Sequence, residues 1–516
     1  MSSQGAKGSK AAGGERKDAT APLFHATDVE EVLERFEPEL IIIGTGYVSD
    51  LRVRKLLISS KASRRPTMTR MKAGLVVTAM PSSFDPSHAE ASAREMSREL
   101  KHLDIEVIES GGLVTSWEQA REAADKFKKE RTDLLVVLCG TFALDDLSTT
   151  IVREMTDVPL IMWAIPEPPL RGGPLPTGSL LSAVMNGSSI RRMGKPYKLL
   201  YGNAGDPKVL EAIKQTVRVT QTIKDLKALR IGLIGYRSPG FYACTFDELE
   251  LRKSIGPEII HVDLSEVLRE LDKVSEEEAD AVVADLKQRF VVDGPTEEDL
   301  RNTAKLYVSM RRSVEKNKLS CMAIKCWPEL RDYHDLGACF TLSRLNDEGI
   351  MSSCEADIHG VVTMSMLHSL TGRIIYFTDV VSINDERNAI LMWHCGSTPT
   401  TLAEKPSAVR IRSFSIPGSG RGVTTEFPIK PGRVTIARLS AIKDEYRMFI
   451  SGGEALKTEM ILRGNPVEVK VDANVRDVLQ KIATNGFEHH YAVVHGDVRP
   501  ELTELCEQLK IQAVLA

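Results

Sequence analysis

Residues 354–360 read CEADIHG, which sets two carboxylates, Glu355 and Asp357, and one imidazole, His359, at alternate positions. These are side chains that hold cations or move protons. They also have a plainer use. An apolar stretch with helical spacing follows them to Leu370. Asp is a preferred N-cap, and its charge suits the positive end of a helix. One helix start needs one cap, so Glu355 is in excess, while His359 reads equally well as a polar residue of the first turn.

A second acid stands apart. Glu329 follows MAIKCWP, an apolar run whose Lys325 and Pro328 mark the end of a strand. The C-terminal mouth of a parallel strand is where α/β proteins build sites. A glutamate there is also an ordinary exposed loop residue. Of the eleven histidines, seven lie at or after position 334, among them His359, His394, His489 and His490. His489 and His490 precede an apolar strand, where neighbours face opposite sides. At most one of the pair is then expected to point into a given site, and a buried histidine is often just a hydrogen-bonded core residue.

Elements must carry these groups to one place. From Lys72 onward, apolar runs such as AGLVVTAM, DLLVVLCGTF and VPLIMWAIP alternate with amphipathic stretches such as SWEQAREAADKFKKE. That alternation predicts a parallel sheet covered by helices over residues 72–205. RIGLIGYRSPGFY opens a second set of the same kind over 206–345. After Gly372 the pattern changes to short strands separated by turn signals, RIIYFTDVVSI through PVEVKVD. These predict a mostly antiparallel, barrel-like domain over 346–516 that also holds the site residues. Residues 1–71 read as a Gly/Ala/Ser/Lys-rich disordered tail, a small helix–strand–helix appendage over 24–60 and a linker.

Composition narrows the function classes. A chain of 516 residues is too long for one core. Its net charge of -4 and lack of a basic stripe argue against nucleic acid. No apolar run is long enough to span a membrane, and the N-terminus lacks the apolar centre of a signal peptide. The eight cysteines form no disulfide framework, and the 321/326 pair lacks zinc-site spacing. A cytoplasmic protein with reduced thiols is expected.

Together the segments KCWPEL, LSRLNDEGIMSSCEADIHG, LMWHCGSTP and GFEHHYAVVHGDV resemble the L-fucose isomerase and L-arabinose isomerase superfamily. Upstream, DLLVVLCGTF, VPLIMWAIPEPP and NGSSIRRMGKPYKLLYG look like its N-terminal domain, so the resemblance covers about residues 72–516. It implies a metal-dependent aldose–ketose isomerase of a monosaccharide, working through an enediol. The ion would be Mn²⁺, with other divalent cations able to replace it. Its ligands would be Glu329, Asp357 and His490, with Glu355 the reserve for Glu329 and His489 the alternative to His490. Glu329 and Asp357 would also transfer protons. Lys325, Glu355, His359, His394 and His489 would contact substrate. The family forms homo-oligomers, trimers or hexamers. Fucose, arabinose and a sulfonated hexose all remain open as the sugar. An anionic one would want an arginine, for which Arg191, Arg192 and Arg421 lie in plausible loops. The competing reading is a non-catalytic sugar-binding or sensing protein built on the same α/β domains.

Overall fold

The computed structural model describes residues 70–414, 421–443 and 445–516. The tail and appendage expected before Arg70 lie outside them. The described residues cluster into one compact unit.

Five strands build the first sheet: β1 (Lys72–Thr78), β2 (Glu106–Val114), β3 (Leu134–Cys139), β4 (Leu160–Ala164) and β5 (Lys198–Tyr201). They are parallel in the order β2-β1-β3-β4-β5. β3 and β4 are buried along their whole length, which explains their unbroken apolar sequences. Local signals set the helices between them. Ser116 and Gln119 form a reciprocal capping box at the start of helix Trp117–Lys129.

Helix Pro207–Ala228 leads into the second sheet. Here β6 (Arg230–Ile234), β7 (Glu258–Val262), β9 (Cys321–Ile324) and the two-residue β10 (Ser352–Ser353) are parallel in the order β10-β9-β6-β7. The intervening strand β8 (Val291–Asp293) joins a small three-stranded sheet with β13 (Arg410–Ser413) and β14 (Val423–Glu426). The second parallel sheet thus takes its edge strand from residues 352–353, beyond the 345 at which the sequence pattern ends that domain.

The third sheet is mixed and largely antiparallel. It contains β11 (Tyr376–Asn384), β12 (Ala389–Trp393), β15 (Gly432–Ile442), β16 (Glu445–Ala455), β17 (Val467–Val471), β18 (His490–His495) and β19 (Gln512–Leu515). Its pairings run β15-β18-β11-β12-β17-β16, and β16 pairs back onto β15 while β19 adds to β16 in parallel. The α/β class with an antiparallel C-terminal sheet is therefore what the sequence pattern predicts.

Helix Ile358–Thr371 lies between the second and third sheets. It is buried nearly all round, as a helix with apolar residues on every face requires. Its side chains share one core with β6, β9, β15 and β18. The start of that helix is where CEADIHG sits.

Candidate functional site

Three chain segments end at one place. β9 runs out into Lys325 and Glu329, and β10 runs directly into Cys354 and Glu355. The backbone ties the two together, since Ala356 N–H donates to the Ile324 carbonyl. The third segment is the start of β18, with His489 and His490. Its neighbour β11 sets Asp379 opposite His490 across the ladder.

Glu355 and Ala356 both adopt left-handed backbone, with φ of 58° and 57°. For residues with a Cβ this costs about 1–3 kcal/mol each, and such strain gathers at sites. The turn presents Glu355 to both histidines: Glu355 Oε2 lies 3.1 Å from His489 Nε2 and 3.5 Å from His490 Nε2. Asp379 Oδ1 is 3.6 Å from His490 Nε2, and it is buried with no hydrogen-bond partner. The expectation that only one of the two histidines could face the site is corrected here. His489 lies one residue before β18, so strand alternation does not yet govern it.

Asp357 approaches His490 from its other side. It caps helix Ile358–Thr371 by accepting from Gly360 N–H through Oδ1. Its Oδ2 accepts from Arg438 and lies 2.9 Å from His490 Nδ1. A carboxylate only accepts, so Nδ1 is the nitrogen that donates to Asp357, and Nε2 is the one that faces Glu355 and Asp379. Arg438 is itself buried in β15 and also donates to Glu488, whose other oxygen accepts from Ser440. Burial works against the Asp357 charge, but the Arg438 guanidinium and the His490 hydrogen bond hold this carboxyl well below the usual carboxylate range. Burial likewise opposes the charge on Glu355, and His489 and His490 outweigh it, so this carboxyl too sits below its ordinary value. For His489 burial is offset by the Glu355 hydrogen bond and the Asp379 charge, and its pKa is raised.

The remaining expected residues fall in two places. Lys325 Nζ donates to Glu329 Oε1 at 2.5 Å, while Glu329 Oε2 is buried without a partner. The segment carrying Glu329 follows a cis Trp327–Pro328 bond and winds as a short π-turn, Glu329–Tyr333. His394 and His359 are enclosed. His394 Nε2 lies 3.2 Å from Cys354 Sγ, its Nδ1 contacts Ser397 Oγ at 2.9 Å, and its ring is stacked beside that of His490. His359 is 4% exposed and meets Tyr446 of β16 edge-on at 5.7 Å. A sugar contact by His359 finds no opening there, because the first helical turn carries it away from Glu355.

Two side-chain groups among the described residues could hold an ion: Glu355, His489 and His490, or Cys354, His394 and His490. The Cys354 thiol is pushed well up by its hydrogen bond with Cys326 and by burial, so it is neutral at ordinary pH. The Glu355 group carries a carboxylate, and the unpaired Asp379 Oδ1 lies 3.6 Å from its His490; Glu329, beyond the end of β9, has one unpaired oxygen as well. It fits a hard or borderline divalent cation.

Asp379, Arg438 and Glu488 escaped the sequence reading. Asp379 and Arg438 do leave a trace, as single charges inside otherwise apolar strands, YFTDVV and TIARLS. Charged residues are rarely buried unless paired, so each implied a partner.

Comparison with known proteins gives the family. Residues 392–515 match a model described as L-fucose isomerase, C-terminal domain, and residues 76–171 one described as fucose/sulfoquinovose isomerase, N-terminal domain. The chain is 31% identical over 433 residues to a sulfoquinovose isomerase of Priestia aryabhattai, covering 83% of this chain and 96% of that protein. It is 33% identical over 374 residues to a sulfoquinovose isomerase of Alkalicoccus urumqiensis, covering 72% and 84%. An L-arabinose isomerase 2 of Clostridium acetobutylicum is 20% identical over 288 residues, 54% of this chain and 58% of that protein.

Proposed function

This chain belongs to the L-fucose isomerase-like superfamily, and from that premise we propose that it is a divalent-metal-dependent aldose–ketose isomerase working through an enediol, with a 6-sulfonated aldohexose as its first candidate substrate. The substrate follows the relatives named sulfoquinovose isomerase. The observation that carries the metal reading is the convergence of Glu355 Oε2, His490 Nε2 and the unpartnered Asp379 Oδ1.

In this reading Glu355 and His490 hold the ion, Glu329 completes the set with its free oxygen, and Asp379 faces it. Mn²⁺ is the expected ion. Bound there, such an ion would polarise the sugar carbonyl and offset negative charge on the adjacent oxygens. The set differs from the one the sequence resemblance implies at one residue. Asp357 is already engaged by Arg438, Gly360 and His490, so it acts through His490 by fixing its tautomer and direction.

Isomerisation moves one proton from C2 to C1 and one from O2 to O1, so the carbonyl shifts from C1 to C2 with no net redox change. Glu329 would both complete the ligand set and take the carbon proton, the double role that the resemblance implies, with Lys325 on its other oxygen holding it in place. Asp357 is a poor carrier, since its charge is held by Arg438. His489 is suited to the oxygen protons. It is partly exposed, keeps its proton longer than an ordinary histidine, and is hydrogen-bonded to Glu355.

The test is ketose formation from an aldose panel by metal-stripped protein, with and without Mn²⁺, using sulfoquinovose, L-fucose, D-arabinose and L-arabinose. Metal-dependent turnover of at least one sugar is expected, and Glu329→Gln should abolish it with the circular dichroism spectrum unchanged. Sugar binding without turnover under any metal would favour the sugar-sensing reading instead.

A further inference from the structure

Beyond the reaction itself lies the question of what recognises an anionic sugar. The arginines that the sequence offers do not serve. Arg191 donates to Glu507, Arg421 lies 3.6 Å from Asp335, and Arg192 is an exposed helix-end residue.

The loop after β6 supplies another. Gly235 and Tyr236 both take left-handed backbone, with φ of 78° and 62°, and Arg237 follows. Its guanidinium sits 5.0 Å from the Tyr242 ring centre and 5.7 Å from that of Tyr236. Among the described residues no carboxylate pairs with it, and its Nε is buried without a hydrogen-bond partner. Leaving a buried polar donor unmade is unfavourable, so an unpaired guanidinium in a half-buried aromatic setting is shaped for a partner from outside.

The same loop reaches the proposed ion site. Ser238 Oγ donates to the Trp327 carbonyl at 2.6 Å. Phe241 packs edge-on to Trp327 at 5.2 Å and to His489 at 6.0 Å. Arg237, Tyr236 and Cys244 line a small cleft with Ala356, the residue between Glu355 and Asp357. Arg237 therefore lines a cleft whose wall includes a residue next in sequence to Glu355 of the proposed ion site.

Resting on the isomerase reading, we infer that Arg237 is the specificity-determining residue of this site and binds the anionic group at the far end of a sulfonated sugar. A planar guanidinium matches a tetrahedral oxyanion with two parallel N–H···O bonds, and the flanking tyrosines hold it in place. Lysine would keep the charge and lose the fork.

The experiment compares wild type, Arg237→Gln and Arg237→Lys, each loaded with Mn²⁺ and checked for fold by circular dichroism. It reads the ratio of kcat/KM for sulfoquinovose to that for its neutral counterpart, 6-deoxyglucose. The ratio is expected to fall roughly 10- to 100-fold in Arg237→Gln, with partial recovery in Arg237→Lys. An unchanged ratio in Arg237→Gln would overturn the assignment while leaving the isomerase reading intact. If wild type turned over neither of these two sugars, the isomerase reading would rest on the wider aldose panel, and calorimetric binding of sulfoquinovose would decide Arg237 alone. Weaker binding by Arg237→Gln would support it; equal binding, or none by wild type, would overturn it.

Discussion

Glu355 and Asp357 are two residues apart and do different work because their partners differ. Glu355 meets two histidines, one of them half open to solvent; Asp357 is locked between Arg438 and His490. Glu355→Gln is therefore expected to strip the protein of Mn²⁺. Asp357→Asn is expected to weaken metal binding by only about 10- to 100-fold, the usual loss when a group behind a ligand is removed. Calorimetric titration of Mn²⁺ into both variants checks this. Equal loss in the two would return Asp357 to the ligand set. His359 gives a prediction about pH. Burial first, and the Arg438 charge second, lower its pKa to about 4. Above pH 6.5 the imidazole is neutral folded or unfolded. As pH falls from about 6.5 toward 4 only the unfolded chain takes up the proton, so stability drains away, by on the order of 2–3 kcal/mol for this group. Urea midpoints across that range should fall less steeply in His359→Phe than in wild type.

At the scale of elements, the site depends on how tightly one helix start seats against one sheet. A Cβ on Gly360 would lie 2.7 Å from the Phe377 ring and 2.8 Å from Asp357 Oδ2. Phe377 in turn packs on His490 at 4.6 Å. Gly360→Ala is thus expected to lower Mn²⁺ affinity though it touches no proposed ligand, and titration should show a loss comparable to Asp357→Asn. Arg438 pins β15 to the same helix start. Arg438→Met leaves buried Asp357 and half-buried Glu488 without their cation, and should destabilise the fold by about 3–5 kcal/mol in equilibrium unfolding. The strands themselves were legible in the sequence, because fully buried strands such as β3 and β4 write unbroken apolar runs. The Asp357 cap was legible too, from its place before an apolar helical stretch. What could not be read was pairing across the chain. Arg438 and Asp357 are separated by 81 residues, and nothing local in either segment names the other.

Over the whole molecule, two kinds of sheet meet at the site. Parallel β9 and β10 bring Glu329 and Glu355 from their C-terminal ends, and the antiparallel sheet brings His490 and Asp379. The change of pattern near Gly372 announced both architectures, but it could not say that their edges converge, nor that the loop after β6 would lay Phe241 against His489. The measurement that tests this arrangement most directly is anomalous diffraction at the manganese edge from crystals grown with Mn²⁺. One strong peak is expected, coordinated by Glu355 and by His490 through Nε2, with Asp357 still bonded to Arg438. A peak coordinated by Asp357 with Glu355 turned away, or no peak between these residues, would contradict it.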